Sequence, residues 1–137
     1  MSDSDGNVIV EVKGLSKAYG AHLAVDDVSF SVQRGASLAI VGESGSGKTT
    51  IARMLAGLET PSAGSIRVCG EDRTEPASCA RDRRRRGRQL QIVFQDPYSS
   101  LDPRQEIGEG LVELLRLHGA ELDARERRRR CEEMAEM

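Results

Sequence analysis

Three stretches of the chain alternate between apolar and polar side chains. In "VSFSV" (28–32), Val28, Phe30 and Val32 fall on one face of an extended backbone, with Ser29 and Ser31 on the other. In "SIRV" (65–68), Ile66 and Val68 flank Arg67 in the same way, and "VIVEV" (8–12) is a third strand of this kind. A period of two predicts half-buried antiparallel strands. "LAIV" (38–41) and "QIVF" (91–94) contain short unbroken apolar runs instead. Such runs suit strands covered on both faces, as in a parallel sheet with helices above and below. A helix is expected over 48–58, with Gly57 near its end and Pro61 just beyond. Residues 105–118 align Ile107, Leu111, Leu114 and Leu115 on one stripe, and Gly119 is a fitting stop. A last helix is expected to start at Asp123, with Glu126 as its capping-box partner. The fold class is therefore α/β, with an antiparallel portion beside a doubly covered one.

The apolar stripe of the last helix continues through Cys131, Met134 and Ala135 to the end of the chain at Met137. A domain seldom stops inside a helix, so the sequence leads us to expect a truncated domain. The start, "MSDSDGN", is acidic and polar, unlike a secretory signal or a basic transit peptide, and residues 1–7 are expected to form a flexible tail. Residues 71–88 look like a surface excursion between strands. There is no apolar run of the ~18 residues that a membrane helix requires.

Composition changes this picture little. Hydrophobic residues make up 38% and charged residues 31% of 137 positions, as in soluble globular domains. The formal charge of −2 argues against a generally basic nucleic-acid binder, although "RDRRRRGR" (81–88) and "RERRRR" (125–130) are dense local clusters. Three cysteines, Cys69, Cys79 and Cys131, fit no metal motif and are read as reduced thiols in small buried or half-buried positions, consistent with the cytosol.

The chemistry sits in "IVGESGSGKTT". Gly42, Glu43, Ser44, Gly45, Ser46, Gly47, Lys48 and Thr49 fit G-x-x-x-x-G-K-S/T, with an apolar run before and a helix after. Successive backbone amides in such a loop turn inward and form a cationic nest. The helix N-terminus adds unpaired amides and the positive end of its dipole. Lys48 brings a mobile full charge for the outer phosphates, and Thr49 offers a hydroxyl to Mg²⁺. A second loop, "QDPYSSLDPR", follows the other buried-type run. Ligands of open α/β sheets sit beyond the carboxyl ends of the parallel strands. If both runs are parallel strands of one sheet, Gln95 emerges on the same edge as Lys48, where its amide is able to bind Mg²⁺ or its water. Pro97 and Pro103 keep Asp96 and Asp102 out of helical conformation.

These residues together resemble an ATP-binding cassette (ABC) ATPase, a P-loop NTPase fold with an antiparallel β-subdomain and a helical subdomain. "GESGSGKTT" resembles the Walker A loop. "QIVFQDPYSSLDPR" resembles the strand and Q-loop of members that power oligopeptide and dipeptide importers. The resemblance covers nearly the whole chain and implies an incomplete ATP-binding core over 8–104 and the opening of the helical subdomain over 105–137. It implies that Tyr19 stacks on adenine and that the residues from Gly42 to Thr50 cradle the phosphates of ATP. It further implies that Thr49 binds Mg²⁺ and that Gln95 senses the γ-phosphate and couples to the membrane subunit. The implied partners are the transmembrane subunits of an ABC permease and a second ATPase subunit, in a homo- or heterodimer held peripherally on the cytoplasmic face of the plasma (inner) membrane. The chain departs from the pattern by lacking an "LSGGQ"-type signature, a Walker B strand ending in Asp-Glu and a switch histidine; neither His22 nor His118 fits that role. It resembles the N-terminal half of such a domain. No catalytic residue is therefore assigned within it, and by itself it is expected to be inactive as an ATPase.

Two other readings compete. One is a nucleic-acid-binding module built on the cluster at 81–88, but that cluster contains no aromatic for base stacking, and a solvated helix or loop face accounts for it. The other is a different P-loop enzyme, such as a small kinase or a GTPase. No Asn-Lys-x-Asp guanine reader is present.

Overall fold

The computed structural model of the protein describes residues 7–96, 102, 104–118 and 122–135. These divide into two compact units, at Ile92/Val93.

The first unit is built on a long hairpin. Strand β1 (Val8–Tyr19) and strand β2 (His22–Gln33) pair antiparallel from Val8↔Gln33 to Tyr19↔His22, with several irregularities of register on the way. Strand β3 (Ala63–Val68) adds to the other edge of β1, and the two-residue β4 (Glu71–Asp72) to β3, giving the antiparallel order β2-β1-β3-β4. The alternation behaves as expected. Ile66 and Val68 are buried and Arg67 is exposed; Val28, Phe30 and Val32 are half-buried and Ser29 and Ser31 exposed. The strands are longer than their alternating cores because irregular pairing carries the ladder past Gly14, whose amide donates to Ser29 Oγ at 2.8 Å.

Helix α1 (Lys48–Leu55) supplies Ile51 and Met54 to a core completed by Val12, Leu15, Val25, Ile66 and Val68. Each such side chain contributes roughly 1.5–3 kcal/mol through burial. The helix is shorter than its pattern suggested, because it stops in a left-handed glycine. Gly57 has φ +71; its amide donates to Met54 O at 3.0 Å, and that of Leu58 to Arg53 O at 2.9 Å. This pair of bonds satisfies carbonyls that the helix end would leave free, and glycine takes the conformation without a Cβ penalty.

The excursion after β4 contains a helix that its sequence pattern did not announce, α2 (Ala80–Gln89), which has no buried residue. Arg85 and Arg86 are held by carboxylates: Arg85 pairs with Asp82 at 3.0 Å and with Glu71, and Arg86 with Asp82 at 3.0 Å. Arg73, which is buried, donates to Gln89. These contacts tie the helix to β4 and its continuation. The Asp82 carboxyl lies below the usual carboxylate range, first because Arg85 donates to it.

Two expected strands are missing. Residues 38–41 and 91–94 have no strand pairing. Val41 is 88% and Val93 96% exposed, and Leu38, Ile40 and Phe94 are exposed as well. A strand apolar on both faces needs hydrogen-bonded neighbours and covering helices on both sides, and none of the described elements supplies them. The parallel sheet edge that would have placed Gln95 beside Lys48 is therefore not present among the described residues.

In the second unit, α3 (Ile107–His118) and α4 (Ala124–Ala135) pack on each other. Asp123 caps α4, its Oδ1 accepting from the Glu126 amide at 2.8 Å, and Cys131 is buried. Of the expected α3 stripe, Leu111 and Leu115 are half-buried, whereas Ile107 and Leu114 stay exposed. Cys69 and Cys79 are exposed rather than buried, and no disulfide joins them. No described helix is long and apolar enough to cross a membrane.

Candidate nucleotide-binding site

The glycine loop is anchored at its far end. Gly47 precedes the first residue of α1 with φ +88, a left-handed conformation, and is buried. A Cβ here would run into the carbonyl oxygen of Ala24 and lie 3.1 Å from Val25 Cγ2. Conformation and close approach both demand glycine at this position. The consequence is positional: the start of α1 is pressed onto the backbone of β2.

The loop before it folds tightly around the lysine. Lys48 Nζ donates to Gly42 O at 2.9 Å, to Glu43 O at 2.6 Å and to Ser46 Oγ at 3.3 Å. The Ser46 amide closes a turn onto Glu43 O at 3.2 Å. Within α1 the first amide bonded back to the loop is that of Ile51, to Gly47 O at 2.9 Å. The amides of Lys48, Thr49 and Thr50 precede the first complete helical bond. Gly47 contributes no side-chain cap, and the first turn carries no acidic residue. A full positive charge, three early amides and a dipole end thus converge at a first helical turn that carries no acidic residue, an arrangement that attracts an anion. Thr49 is exposed, and Thr50 and Lys48 are half-buried.

Tyr19 ends β1 opposite His22 and is 46% exposed. Its neighbourhood is shared with the glycine loop. Lys17 pairs with Val25 and Ala18 with Leu23, so the stretch of β2 that receives Gly47 is the partner of the stretch of β1 leading to Tyr19. The structure therefore brings Tyr19 and the loop onto one hairpin. Gln95 is exposed and belongs to the second unit. Asp96 and Asp102 are non-helical as expected, and Asp102 Oδ1 accepts from the Arg104 amide at 2.9 Å. Residues 97–101 and 103 of that loop, including both prolines, lie outside the described residues.

One neighbour was not singled out from the sequence. Lys17 Nζ lies 5.0 Å from the centre of the Tyr19 ring, bonds to Thr60 O at 2.6 Å and pairs with Glu59 at 2.6 Å. The signal was there in the two-residue spacing, which puts Lys17 and Tyr19 on one face of β1. The Glu59 carboxyl is held below its ordinary value, chiefly by its hydrogen bond with Lys17.

Comparisons with known proteins agree with this geometry. The profile of the ABC transporter family matches residues 25–137. The chain is 43% identical over 123 residues to the di/tripeptide transport ATP-binding protein DppF of Pseudomonas aeruginosa, covering 89% of this chain and 37% of that protein. Among solved structures, it is similar to an ATP-binding cassette determined as a dimer in a post-hydrolysis state with ADP and Pi bound. That match has a TM-score of 0.72 at 25% identity and covers 91% of this chain and 55% of the other. The chain spans about two fifths of the length of the curated relatives it matches. With a family profile matched over most of its residues and a glycine loop folded around Lys48, this chain belongs to the ABC transporter family.

Proposed function

We propose that the chain binds Mg-ATP and forms part of the ATP-binding subunit of an importer for peptides or similar small solutes. The observation that carries this reading is the folded loop, in which Lys48 is drawn onto Gly42 O and Glu43 O at the uncapped start of α1. On arrival of a nucleotide, the Lys48 ammonium exchanges these carbonyls for the outer phosphate oxygens, and the early amides of α1 take up others. The site suits a magnesium–phosphate group: positive donors surround it, and the exposed Thr49 hydroxyl is a hard oxygen ligand of the kind Mg²⁺ takes. An ion held by Thr49 would supply charge neutralisation to the outer phosphates. Gln95 is assigned as a further contact to the metal or the γ-phosphate on the resemblance of its loop to the Q-loop alone. Tyr19 is assigned to stack on adenine. These residues bind and orient; none is assigned as the group that activates water.

The name of the Pseudomonas relative, which specifies di- and tripeptide transport, supports the substrate class. The dimeric cassette supports association with a second ATPase subunit. Permease subunits are the further partners, and through them the chain is placed at the cytoplasmic face of the membrane. The arginine-rich α2 does not favour nucleic acid, since Arg85 and Arg86 are engaged by Asp82 and Glu71.

Lys48→Ala tests the reading. In equilibrium dialysis the variant is expected to lose Mg-ATP affinity by about 100-fold or more, in line with charge-assisted contacts to phosphate. Unchanged affinity refutes the loop as a phosphate site.

A further inference from the structure

The stacking assignment leaves open what holds Tyr19 in place. The ring sits at the end of a hairpin with 46% of its surface exposed, and a tyrosine so placed has rotamer freedom that must be given up when a base stacks on it. Two neighbours restrict that freedom: the Tyr19 hydroxyl is near enough to the Glu59 carboxylate to help stabilise its charged form, and Lys17 stands over the ring. The Lys17 ammonium lies 5.0 Å from the ring centre, within the distance at which a cation is attracted to an aromatic face. The lysine is itself immobilised: its side chain is 13% exposed and is gripped by Glu59 and by the Thr60 carbonyl, both at 2.6 Å. Glu59 and Thr60 lie just past Gly57, which ends the helix that begins at Lys48. The start of α1 carries Lys48, and the segment after its end fixes the cation against the aromatic ring.

Resting on the nucleotide reading above, we propose that Lys17 is a positioning residue for the nucleotide base: tethered by Glu59 and Thr60, it occupies one face of the Tyr19 ring and presents the other to the purine. Lys17 touches the aromatic and not the polyphosphate, so its influence is felt by the base alone.

The test compares Mg-ATP with Mg-tripolyphosphate, which shares the phosphates and has no base, by calorimetric titration of the full chain. Lys17→Met, which keeps the aliphatic stem, is expected to weaken Mg-ATP about three- to tenfold, the range of a partly desolvated cation–aromatic contact. Tripolyphosphate affinity stays unchanged, and Lys17→Arg recovers most of the loss. Glu59→Gln, which weakens both the tether and the contact of that carboxylate with the Tyr19 hydroxyl but keeps the cation, gives a smaller loss of the same selectivity, and Lys17→Gln serves if Lys17→Met fails to fold. Adding Lys17→Met to Tyr19→Ala produces no further loss. An equal fall in affinity for both ligands, or no fall for either, overturns the proposal. Failure of the underlying nucleotide reading is distinguishable, because Lys48→Ala then leaves both ligands bound as before.

Discussion

The hairpin β1–β2 and the apolar runs at 38–41 and 91–94 are of comparable hydrophobic character, yet the structure treats them in opposite ways. The hairpin strands find partners and bury Val12, Leu15 and Val25, whereas Val41 and Val93 remain almost wholly exposed. The difference is one of where each strand's partners come from. A hairpin closes across a tight turn and needs only one covered face, so β1, β2, β3 and α1 satisfy one another within the first 68 residues. A strand apolar on both faces is stable only with neighbours on each edge and helices on each side. Hydrophobicity alone does not fold a strand; it requires surfaces against which to be buried.

The strongest challenge to this contrast is in the sheet. Ile66, fully buried on β3 in the core that includes Ile51 and Met54, is expected to cost about 2–5 kcal/mol when truncated to alanine, as read by urea denaturation. A loss below about 1 kcal/mol breaks the claim that the sheet face is the stable centre. The next largest effect concerns the loop that the sheet supports. Gly47→Ala forces a Cβ onto Ala24 O at a left-handed φ, and is expected to cost about 2–4 kcal/mol in the same measurement. Mg-ATP affinity is expected to fall with it. A variant as stable as the parent would mean that the loop is not seated on β2.

Acid provides a gentler probe. Glu59, Asp72 and Asp82 have carboxyls held below their ordinary values, by Lys17, by the Thr74 amide and by Arg85 respectively. Groups whose folded-state value lies below the unfolded one add stability above the unfolded value, near pH 4, and lose it as pH falls through the folded value. The thermal midpoint is expected to hold from pH 7 to about 5 and then fall toward pH 3, with a smaller fall in Lys17→Met. A midpoint that rises on acidification contradicts these pairings. The smallest effect belongs to the unpaired runs: Val93→Ser, at a position 96% exposed, is expected to change stability by less than about 0.5 kcal/mol. A cost comparable with that of Ile66→Ala would show that residues 91–94 are buried in solution.

Much of the site was legible because its parts are local. Glycines at 42, 45 and 47 followed by Lys48 and Thr49 specify a turn of chain entering a helix, and such a turn is set by backbone sterics over a few residues. The same holds for Asp123, which caps α4 as its spacing from Glu126 indicates, and for the alternating strands. Helix α2 was not legible, since an arginine run has no apolar period, and its contacts are with Glu71 and Asp82 rather than with a core.

By itself, then, the sequence determined the phosphate-type loop, the antiparallel strands and the helices with an apolar or capping pattern, all of which depend on neighbours in the chain. Tertiary structure alone decided that Gly47 rests on Ala24, that Glu59 grips Lys17, and that residues 38–41 stay unpaired. The first two join residues tens of positions apart or on different elements, and the third depends on whether partner strands are present. Such contacts are fixed by packing in space, which no local pattern of side chains encodes.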